Sequence, residues 1–124
     1  MHSMVLERCL VAIMVYILDS YQRPLKLDIT VPSNQSLYLD FIAKEDYNSV
    51  LRSLVLVKDR SYLISTVFLV VDYNYTNNGP PILWETMIFE KGFFGKDLYC
   101  ARYISHEEAI NGHLEALEWA KANL

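Results

Sequence analysis

Two side chains in the C-terminal third carry the chemistry of an acid–base pair. Glu85 stands inside the apolar run Ile82–Phe89, between Trp84 and Thr86. His113 stands in a stretch of helical periodicity, one turn after Ala109. A carboxylate in mid-strand is either solvated or buried with a partner, and Arg102 and His113 are the partners that the sequence offers. An imidazole and a carboxylate that meet can move protons near neutral pH. A small hydrolase using Glu85 and His113 is therefore one reading. It requires the last helix to lie across the strand that carries Glu85.

The residues around this pair do not complete a catalytic motif. There is no Gly-x-Ser-x-Gly elbow, no phosphate-binding Gly-x-x-x-x-Gly-Lys, no Gly-x-Gly-x-x-Gly and no His-Glu-x-x-His. His106 and His113 are two helical turns apart, beyond simple chelation, so neither a metal nor a cofactor is expected. A binding role is favoured over catalysis.

A second constellation suits binding. Tyr73, Trp84, Phe93 and Phe94 lie close in sequence to Lys91, Lys96 and Arg102, with Glu85, Thr86 and His113 among them. Aromatic faces beside cations hold flat anionic ligands such as nucleotides. The same rings suit a protein interface or the core and flanks of a small sheet. Gly92 and Gly95 bracket Phe93 and Phe94 in a loop that could cover a ligand or tuck its rings onto the core.

The elements that must position these residues are legible from period and punctuation. Val15–Leu18 reads as a strand, Tyr21–Pro24 as a turn and Leu25–Val31 as a returning strand. Ser33, Asn34 or Ser36 is expected to cap a short middle helix with Leu37, Tyr38, Phe41 and Ile42 on its apolar positions. Val50–Val57 has leucine and valine on both parities and fits a buried strand or a helical turn. Tyr62–Val71, rich in β-branched and aromatic residues, is the strongest strand. It is followed by the breaker Asn77-Asn78-Gly79-Pro80-Pro81 and by Ile82–Phe89, which makes an antiparallel hairpin. On the second arm Trp84, Thr86 and Ile88 share one face, and Leu83, Glu85, Met87 and Phe89 share the other. Leu98–Tyr103 is a further strand. Ser105 with Glu108 three residues on is a capping box, opening a helix over 105–122 whose Ala109, Gly112 or His113, Ala116, Leu117 and Ala120 face the sheet. The fold class is α+β: an antiparallel sheet of about four to five strands, with the long hairpin 62–89 at its centre, packed by the C-terminal helix and the short middle one.

Length and charge bound the partners. The chain has 124 residues, the size of one domain, with residues 1–13 a possible extension and Met14 an alternative start. Its 11 basic residues against 15 acidic ones give a net charge of -4, which does not supply the dense cationic footprint that duplex nucleic acid requires. The apolar run Leu10–Leu18 is too short to cross a bilayer, and no membrane partner is expected. The two cysteines, Cys9 and Cys100, sit in apolar surroundings without metal-type spacing, as reduced thiols of a cytoplasmic protein do.

From Val15 onward the ordered features resemble a group of small phage and prophage proteins without assigned activity. The resemblance is carried by Tyr16-Ile17-Leu18-Asp19, Ser65-Thr66-Val67-Phe68-Leu69 with Asp72, and Gly79-Pro80-Pro81. It continues in Leu83 with Glu85-Thr86-Met87 and Phe89, then Tyr103, Glu107-Glu108-Ala109 and Gly112-His113, and spans most of residues 14–120. This chain departs from the pattern at Tyr73, where the group usually has His, and at Trp84, where it usually has Phe. A glycine-rich stretch is replaced by Glu90-Lys91-Gly92-Phe93-Phe94, and Tyr38 and Phe41 stand where middle-helix tryptophans are usual. The resemblance implies viral origin and an accessory role inside a host cell, and no reaction. The leading expectation is a non-enzymatic accessory binding protein that serves counter-defence. It would sequester a small nucleotide-type signal or block a host defence protein. A virion or assembly protein that forms homo-oligomers through a hairpin edge is the structural alternative.

Overall fold

The computed structural model describes residues 13–76, 78–91 and 96–124. The chain divides after Tyr47 into two compact units.

In the first unit, β1 (Met14–Leu18) and β2 (Pro24–Asp28) form an antiparallel hairpin that pairs Val15 with Leu27 and Ile17 with Leu25. Asp19 builds the turn: its Oδ1 accepts from the amides of Tyr21 and Arg23 at 2.8 and 2.9 Å. The second strand stops at Asp28, short of the expected Val31, because the Asp28 carboxylate accepts from both the amide and the hydroxyl of Thr30 and turns the chain. Helix α1 (Pro32–Ile42) follows. Its N-cap is Val31, without a side-chain hydrogen bond, in place of the expected Ser33, Asn34 or Ser36. Pro32 starts the helix from the first helical position, where its missing N–H costs nothing. The Asn34 amide is committed elsewhere, donating to the Asp28 carbonyl at 3.0 Å.

The second unit is a four-stranded antiparallel sheet in the order β3-β4-β5-β6, with one helix. The strands are β3 (Ser49–Val57), β4 (Arg60–Phe68), β5 (Trp84–Glu90) and β6 (Asp97–Tyr103), and the helix is α2 (His106–Asn123). The α+β class, the hairpin formed by β4 and β5 and the C-terminal helix packed on the sheet agree with the sequence reading. Among the described residues the six strands distribute over two sheets, since β1 and β2 pair only with each other. Lys58 and Asp59, both at positive φ, close the β3–β4 hairpin. β4 ends at Phe68, three residues before the expected Val71, because Val70 takes φ 68° and breaks the extended run.

Strand register sorts the side chains into two layers. Rows Leu51–Thr66–Thr86–Ala101 and Ser53–Ile64–Ile88–Tyr99 run across the sheet beneath α2, as does Phe68–Trp84–Tyr103. Tyr62, Ile64, Ile88, Ala116 and Ala120 form the core there, with Val55, Tyr99, Leu117 and Trp119 packed against it. Small residues at Ala109, Gly112, Ala116 and Ala120 let the helix approach closely. The capping box is present: the Ser105 hydroxyl accepts from the Glu108 amide at 3.1 Å. The Glu108 carboxylate reaches one residue further back than the usual box and accepts from the Ile104 amide. The opposite layer, rows Arg52–Ser65–Met87–Cys100, Leu54–Leu63–Phe89 and Val67–Glu85–Arg102, carries no helix of this unit.

Candidate functional site

Alternation along β5 separates the residues that the sequence placed in one site. Trp84 and Thr86 point under α2, where His113 is also buried, and Glu85 points to the open layer. Glu85 and His113 therefore have the sheet between them, and the acid–base pair is not formed. Phe93 and Phe94 lie outside the described residues.

The buried set is a polar chain inside an apolar layer. Ser53 Oγ lies 2.8 Å from Nε2 of His113, and Thr66 Oγ1 lies 2.7 Å from its Nδ1. Thr66 Oγ1 in turn meets Thr86 Oγ1 at 2.5 Å. A neutral imidazole supplies one donor and one acceptor, so both ring nitrogens are satisfied by hydroxyls. Burial lowers the His113 pKa below the ordinary histidine value, which keeps the ring neutral. The connectivity resembles nucleophile, base and orienter. Yet Ser53 faces α2, away from the open layer, and a hydroxyl stands where a carboxylate would steady an imidazolium. The chain ties edge strand β3 to α2 through the centre of the unit.

Trp84 is 0% exposed. Its ring packs on Phe68 at 5.5 Å between centroids and edge-on to His106 at 6.5 Å. An indole enclosed in this way offers no face to a ligand.

On the open layer three of the named residues do converge. Arg102 Nε donates to Glu85 Oε2 at 2.8 Å, and the guanidinium carbon lies 5.1 Å from the ring centroid of Tyr73. The bond to Glu85 pushes the Arg102 pKa further up. Glu85 is 7% exposed, so the guanidinium compensates a carboxylate with little water. Tyr73 is held in place by the loop between β4 and β5. Asp72 Oδ1 accepts from the amides of Asn74 and Ile82 at 2.7 and 2.9 Å, and the Tyr73 amide donates to the Ile82 carbonyl. The Cys100 thiol lies 3.7 Å from Glu85 Oε2. Burial pushes its pKa up and the neighbouring carboxylate adds to the effect.

The remaining cations are dispersed. Lys96 is exposed beside β6. Lys91 lines a cleft of about 410 Å³ with Arg52, Leu54 and Leu63, at the other end of the open layer. Sequence reasoning missed the β3 residues that dominate this layer. Leu54 and Leu56 are 67% and 69% exposed, large for leucines in a regular strand. The signal was the alternation Arg52, Leu54, Leu56 against Leu51, Ser53, Val55, which becomes readable once β3 is known to be a strand with one covered face.

Among the described residues no three of His, Cys, Asp and Glu gather as metal ligands do, and no helix is long and apolar enough to cross a membrane. No protein-family model, curated protein or solved structure matches the chain.

Proposed function

We propose that this chain is a non-enzymatic accessory binding protein of phage or prophage origin that blocks a host protein in the host cytoplasm. It does so with the open layer of its four-stranded sheet. The observation that carries the reading is the pair Leu54 and Leu56, two leucines left in water side by side on one face of strand β3, next to the half-buried Leu63. Neighbouring exposed apolar side chains of this kind mark protein interfaces. The viral origin and the accessory role rest on the sequence resemblance, and counter-defence is the role proposed on top of it.

Blocking a protein is favoured over sequestering a nucleotide because the rings do not form a stacking platform. Trp84 is enclosed, and the Arg102 guanidinium beside Tyr73 is already engaged by Glu85. Assembly through a second copy is the alternative use of the same region. Among the described residues, strand β3 is a nine-residue edge with no proline and no lysine, paired only with β4, the kind of edge that pairs with a like strand.

Affinity isolation from the bacterial host tests the reading, with wild type and Leu54→Glu/Leu56→Glu as baits. The expected result is one stoichiometric host protein retained by wild type and lost from the variant, whose circular dichroism is unchanged. Only the chain itself, in a larger species by light scattering, would favour assembly. A nucleotide that raises the melting temperature by mass action, with the rise abolished by Tyr73→Ala, would move the function to sequestration.

A further inference from the structure

The second unit is electrostatically two-sided. Helix α2 carries Glu107, Glu108, Glu115 and Glu118, all exposed. Of the carboxylates on the open layer, Glu85 is neutralised by Arg102, and Asp97 stands opposite Phe89 on β6, beside Cys100. At the β3 end of that layer the exposed side chains of Arg52 and Lys91 flank the cleft floored by Leu54 and Leu63. Among the described residues neither cation has a carboxylate within ion-pair distance. In a molecule of net charge -4, two unpaired cations beside the exposed Leu54 are a local reversal of sign.

We propose that this cleft receives an acidic polypeptide segment of the partner, one that sets an apolar side chain between Leu54 and Leu63 and a carboxylate against Arg52 and Lys91. This rests on the open layer being the docking surface, and it adds the chemistry of what docks there. The leucines supply affinity through apolar area. The cations select the sign of the partner and speed its arrival, an effect that salt weakens. The acidic helix on the opposite side repels the same segment and leaves the open layer as its approach.

A random peptide library displayed on yeast, selected against the full chain, tests this. Wild type should enrich peptides that combine Asp or Glu with Leu, Ile or Phe. These should bind Arg52→Ala/Lys91→Ala about tenfold more weakly, and Arg52→Glu/Lys91→Glu should enrich Lys- and Arg-containing peptides in their place. Both variants change exposed residues, and a melting temperature at the wild-type value certifies the fold. Binders abolished by Leu54→Glu but without acidic enrichment, and indifferent to Arg52→Ala/Lys91→Ala, overturn this inference and leave the docking surface standing. Binders indifferent to Leu54→Glu as well, or no enrichment at all, overturn both.

Discussion

Ser53 and His113 are sixty residues apart in sequence and 2.8 Å apart in the fold, hydroxyl to Nε2, joining edge strand β3 to the helix that covers the sheet. With Thr66 on Nδ1 and Thr86 beyond it, the ring is held as a neutral group in the buried layer.

That burial gives stability a pH dependence of known sign. The folded state lowers the His113 pKa, whereas the unfolded chain takes up a proton near about pH 6.5. Below that pH the unfolded state binds more protons, so stability is lost as pH falls and is fully present above it. Urea melts of wild type should show the loss between about pH 7 and pH 5, and His113→Gln should remove it from that window. Asp19 and Asp28, whose pKa values are lowered by hydrogen bonds, act only at more acid pH. At neutral pH, Thr66→Val leaves His113 Nδ1 without its partner and should cost about 1–3 kcal/mol.

Gly112 is fixed by close approach. It is helical, and a Cβ there would run into the ring of Tyr103 on β6. Alanine gains up to about 1 kcal/mol in helix propensity, but overpacking a filled site costs roughly 1–3 kcal/mol. Gly112→Ala should therefore destabilise in thermal melts, and far less in a Tyr103→Leu background. The two effects are non-additive because they share one space.

Cys100 is exposed, yet its thiol should react slowly. Burial of the sulfur and the Glu85 carboxylate 3.7 Å away both oppose the thiolate. Ellman's reagent at pH 8 should label Glu85→Gln several-fold faster than wild type and Arg102→Ala more slowly. An unchanged rate in Glu85→Gln would break the link between the carboxylate and the thiol.

Much of the second unit was legible in the sequence. The β-branched run before Asn77-Asn78-Gly79 and its apolar return gave the central hairpin, and Ser105 with Glu108 marked the start of α2 within one residue. The parity of β5 already set Trp84 and Thr86 apart from Glu85. Grouping all three with His113 in one hollow overlooked what that parity requires. Other features turn on tertiary context. β3 has apolar residues on both parities, and only the helix above it decides that Ser53 faces His113 and Leu54 faces water. The end of β4 at Phe68 depends on Val70 adopting a positive φ, which β-branched residues disfavour and propensity does not foresee.

Photo-crosslinking in living host cells tests the central claim most directly, with benzoylphenylalanine placed at position 54 in one strain and at position 122, on the exposed end of α2, in another. The open layer as docking surface predicts one discrete adduct to a host protein from position 54 and none from position 122. No adduct from position 54, or the same adducts from both positions, would contradict it.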